Sequence, residues 1–112
     1  MEDSKDLAPI IIDLGIHRRG ELNESWLAMF GGAIEMILGK MFGSPSSPVK
    51  VRGTRNEIDS FSKTLRGEKK YIEAAARYGL DDPRTYKNKY KLDQAIKNFE
   101  RTTGIKWAFK KP

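Results

Sequence analysis

The stretch Arg84-Thr85-Tyr86-Lys87-Asn88-Lys89-Tyr90-Lys91 has residue types and a spacing that could do chemistry. On a helix, Arg84, Lys87 and Lys91 share a face, and Tyr86 and Tyr90 lie one turn apart on a neighbouring one. Cations so placed can contact phosphates while the tyrosines stack on bases. With Lys89 these residues form a candidate nucleic-acid-binding set. The same pattern also fits a solvated basic face whose tyrosines cover the edge of a core. A second basic and aromatic cluster combines Lys69-Lys70-Tyr71 with Lys106-Trp107-Ala108-Phe109-Lys110-Lys111. There Trp107 and Phe109 share one face of an extended segment and read as core.

Catalytic chemistry finds less support. The chain has no cysteine and one histidine, His17, which removes thiolate nucleophiles, thiolate metal sites and multi-histidine constellations. Asp81, Asp82 and Glu73 lie too near a helix end and lysines to suggest a catalytic pair, and no glycine-rich phosphate loop occurs. The sequence thus predicts a protein that is not an enzyme, with no metal, no cofactor and no small-molecule substrate. His17, beside Arg18 and Arg19, reads as an exposed loop residue.

The elements that position these residues follow from periodicity and punctuation. A chain of 112 residues fits one small domain plus an arm. Its net charge of +6 is uneven: residues 1–47 carry 4 basic and 7 acidic side chains, and residues 48–112 carry 17 and 8. Residues 44–48, rich in serine and proline, separate the two regions as a linker. The chain therefore divides into an arm and apolar docking helix at 1–43 and a basic domain at 49–112.

Residues 8–16 read as an extended segment around Ile10, Ile11 and Ile12, with no partner of its own. A helix over 24–42 starts at an Asn23 or Ser25 cap. Residues 49–53 alternate apolar and basic, as a half-buried strand does. Thr54 and Glu57 form a capping box that opens a helix of about 24 residues with Ile58, Phe61, Leu65 and Ile72 on one stripe. Gly67 offers a place for a kink, and Gly79 a left-handed stop. Asp82 and Pro83 start a further helix, with Leu92, Ile96 and Phe99 inward and Gly104 at its end. Residues 105–110 alternate again and read as the partner strand of 49–53. The expected class is mainly α (α+β), with a strand-helix-helix-strand basic domain behind the N-terminal helix.

The 24–42 helix is apolar nearly all round, with Glu35 and Lys40 the charges in its body. That exceeds what one small domain covers and argues for burial against a partner or another copy. Trp26, Phe30, Ile34, Ile37 and Phe42 are the candidate docking residues. A membrane-active helix is a further reading, weakened by those two charges and by the glycines, since a span wants about 20 apolar residues. The acidic start Met1-Glu2-Asp3-Ser4-Lys5-Asp6 predicts no secretory signal peptide.

Several blocks carry a resemblance: Trp26 with Phe30-Gly31, Met41-Phe42-Gly43, Val51-Arg52-Gly53-Thr54 and Glu68-Lys69-Lys70-Tyr71. The most distinctive runs Phe99-Glu100-Arg101-Thr102-Thr103-Gly104-Ile105-Lys106-Trp107-Ala108-Phe109-Lys110. With these the chain resembles small, mostly uncharacterised proteins of tailed bacteriophages, some of them virion-associated. The resemblance implies a setting, a virion assembled in the host cytoplasm, and it brings no functional residue with it. The expected function is that of a noncatalytic structural or assembly protein of a phage particle, oligomeric and docking on other subunits by its N-terminal arm and apolar helix. A nucleic-acid-binding accessory protein is the alternative.

Overall fold

The computed structural model describes residues 9–45 and 47–109, so the arm ahead of Pro9 and Lys110 lie outside the described residues. Its elements are β1 (Ile10–Asp13), α1 (Glu24–Met41), β2 (Val49–Arg52), α2 (Arg55–Tyr78) and α3 (Pro83–Thr103). It is a small, mostly helical α/β domain with a two-stranded parallel sheet.

Each helix begins where its local chemistry dictates. Asn23 Oδ1 accepts from the Trp26 amide at 2.8 Å and caps α1. At α2, Thr54 Oγ1 accepts from the Glu57 amide at 3.2 Å, and Glu57 Oε1 accepts from the Thr54 amide at 2.9 Å, completing the capping box. Asp82 Oδ1 accepts from the Arg84 amide at 2.8 Å to cap α3, with Pro83 at the first helical position. Gly104, at φ 72°, ends α3 in the left-handed conformation that glycine adopts without a Cβ penalty.

The sheet corrects the expected topology. β1 pairs with β2, Ile10 opposite Val49 and Ile12 opposite Val51. Parallel strands need a crossover, which α1 supplies. The segment expected to be the partner strand, 105–109, forms no ladder among the described residues. Its alternation has another cause: Ile105 and Trp107 are buried while Lys106 is exposed. Side chains hold its backbone instead. Thr103 Oγ1 accepts from the Ile105 amide at 3.0 Å, and Glu100 Oε2 accepts from the Trp107 amide at 3.0 Å.

One core joins both sides of the 44–48 segment. Phe30 of α1, Phe61 of α2, Phe99 of α3 and Trp107 of the C-terminal segment meet in all six pairings, with ring centroids between 5.1 and 6.1 Å apart. Ile12, Leu14, Ile16, Ile34, Leu38 and Leu65 surround them. Trp107 Nε1 donates to Glu68 Oε2 at 2.8 Å, so the indole is oriented within the core. Between α2 and α3, Gly67 stands where a Cβ would come 3.3 Å from Leu92 Cδ1. Close helix packing explains this glycine, and α2 runs through it without interruption.

The turn after β1 is tied to the helix ends. Arg18 Nε and Nη2 donate to Glu57 Oε2 and Oε1 at 2.9 and 3.0 Å, and His17, exposed as expected, lies against Gly104. The Arg18 guanidinium is the chief cause holding the Glu57 carboxyl below its ordinary range; burial opposes it and the Thr54 hydrogen bonds assist.

Two predictions follow from this packing. Phe30→Ala removes the ring common to four aromatic pairs and costs about 3–5 kcal/mol, read from urea unfolding. Wild-type cooperativity with a loss below about 1 kcal/mol would contradict that packing. A carboxyl held low in the folded chain stabilises it above the unfolded-state range and loses that effect as pH falls through the folded value. Melting curves between roughly pH 7 and 3 should show Arg18→Ala less stable at neutral pH and shallower in its acid loss. Parallel wild-type and variant curves would contradict the role given to the pair.

Candidate functional surfaces

The α1 helix divides its side chains between interior and surface. Phe30 and Ile34, two of the expected docking residues, are fully buried in the chain's own core and are not offered to a partner. The reason is geometric: together with Ala33 and Leu38 they form the stripe that faces β1, α2 and the aromatic cluster. Trp26 is half-buried and stacks on Phe30 at 5.1 Å. Ile37 is half-buried and lines an apolar cavity of about 250 Å³ with Val49, Val51, Ile58 and Leu65. Phe42 is 45% exposed, with the Lys69 ammonium 5.1 Å from its ring centre. On the outer face, Ala28, Met29, Gly32 and Glu35 are exposed and Met36 is half-buried. Met29 and Met36 are two turns apart and share that face.

The expected nucleic-acid-binding set stays together on α3, but much of it has local partners. Arg84 donates to both Asp82 oxygens at 3.0 Å and lies 3.6 Å from the Tyr78 ring centre. Its proximity holds the Asp82 carboxyl below the ordinary range, chiefly through the side-chain hydrogen bond. Lys89 pairs with Asp93 at 3.4 Å. The Tyr86 hydroxyl donates to Asp81 at 3.3 Å, and the Asp81 charge pushes its pKa up. Lys87, Tyr90 and Lys91 are exposed, and neither lysine forms a salt bridge with a described residue.

A second basic surface was not apparent in the run of α3 alone. Lys63, Arg66 and Lys70 of α2 face Asn88, Lys91 and Ala95 of α3 across a cleft of about 180 Å³ whose floor is Gly67. The signal was present in the spacing of Lys63, Arg66 and Lys70 at i, i+3 and i+7, one helix face. What the sequence could not supply is that α3 lays Lys91 opposite them.

Among the described residues no cluster of histidine, cysteine, aspartate or glutamate could hold a metal ion. No helix among them is long and apolar enough to cross a membrane. No protein-family model, curated protein or solved structure matches the chain, so its relation to known proteins adds nothing to this geometry.

Proposed function

We propose that this chain is a noncatalytic structural or assembly protein of a tailed-phage particle, docking on neighbouring subunits through the outer face of α1. The observation that carries this reading is the uncovered side of that helix. Met29 and Met36 stand beside Ala28 and Gly32, with Phe42 exposed at the helix end, while the opposite side is committed to the core. Methionine fills irregular apolar contacts, and the small residues permit close approach of a second surface. The blocks around Trp26, Val51 and Phe99 resemble those of small, mostly uncharacterised tailed-phage proteins, some of them virion-associated, and this resemblance supports the setting.

A second reading, a nucleic-acid-binding accessory protein, is favoured by Lys87, Tyr90 and Lys91, which stand exposed on one side of α3.

Sedimentation velocity at micromolar concentration tests the first reading. The full chain should associate, and Met29→Lys with Met36→Lys should yield monomers of unchanged helicity. A monodisperse wild-type monomer that stays folded without a partner would overturn it.

A further inference from the structure

We propose that the cleft between α2 and α3 at Gly67 is a binding site for the phosphodiester backbone of a nucleic acid. This deepens the nucleic-acid reading and moves its centre from the aromatic run of α3 to the helix pair.

The argument begins with charge that has no local use. Arg18, Arg19, Lys69, Arg84 and Lys89 each form a salt bridge with a carboxylate. Lys63, Arg66, Lys70 and Lys91 form none with a described residue, yet they line one cleft. No acidic side chain lines it; the remaining walls are Gly67, Asn88 and Ala95. Like charges gathered in this way repel one another, and a polyanion relieves that repulsion.

The packing makes the gathering possible. Gly67 lets α3 come close at Leu92, and Thr64 Oγ1, which donates to the Ser60 carbonyl of its own helix at 2.8 Å, shares that proton with the Ala95 carbonyl of α3 at 3.2 Å. Lys91 is thereby held opposite three cations of α2. Lys63 and Lys70 are seven residues apart, about 10 Å along the helix axis. That spread suits successive phosphates on a strand better than one isolated anion. Lys70 and Asn88 also line an adjoining hollow with Arg77 and Glu73, whose carboxylate is paired with Lys69 at 2.6 Å.

Fluorescence anisotropy of the full chain with labelled single-stranded and duplex DNA, titrated with salt, tests the site. Four phosphate contacts predict slopes of log K against log salt near −2.8 for single strands and −3.6 for duplex. Arg66→Ala with Lys91→Ala should weaken binding at least about tenfold at low salt and reduce the single-strand slope by about 1.4. Lys50→Ala with Lys97→Ala, two exposed lysines outside the cleft and outside the basic run of α3, equal in charge to the first pair, should do less than half as much. Circular dichroism verifies that both variants keep their helices. Equal losses in the two variants would overturn the cleft while leaving nucleic-acid binding by this protein standing. Absence of binding at about 50 mM salt would overturn both. Equally tight binding of polyglutamate would overturn the assignment to phosphates.

Discussion

Four aromatic rings hold this small protein together. Phe30, Phe61, Phe99 and Trp107 come from three helices and the C-terminal segment, and each touches the other three. Aromatic pairs contribute about 0.5–1.5 kcal/mol each beyond the area they bury, and each ring here takes part in three of the six pairs. The crossover helix, the helical hairpin and the last extended segment are therefore mutually dependent. The side of α1 that supplies Phe30 is fixed by this cluster, and so is the side left uncovered. The same packing sets α3 against α2 and creates the basic cleft.

The carboxylates are spent differently from the cations. Glu57 closes a capping box and receives Arg18, Glu68 receives the Trp107 indole, and Glu100 holds the Trp107 amide. Asp82 caps α3 and receives Arg84. These four carboxylates thus serve the ends of helices and the positioning of one buried ring. The basic surplus of residues 48–112 is left on the outer sides of α2 and α3. Arg18 and Arg84 are cations that join two of these carboxylates, Glu57 and Asp82.

The elements legible in the sequence are those decided locally. Thr54 with Glu57, Asp82 with Pro83, and Gly104 each set a helix end by interactions within a few residues. The strand pairing depends on a contact between Ile10 and Val49, far apart in sequence, and a competing alternation at 105–109 obscured it. That alternation is real, but it reflects an extended segment laid on the core with its amides held by Thr103 and Glu100. Among the expected docking residues, apolarity alone did not distinguish Phe30 and Ile34, which face inward, from Phe42, which does not. The cleft was illegible because half of it lies on each of two helices. Only their packing at Gly67 brings Lys91 to Lys63, Arg66 and Lys70.

Native-state hydrogen exchange tests most directly whether the rings unite both sides of the 44–48 segment in one cooperative core. The amides of Ile34 and Leu38 in α1, and of Ile96 and Phe99 in α3, should exchange through the same global opening with the same free energy. Exchange of the α1 amides at a much lower free energy, with α3 still protected, would contradict a single core.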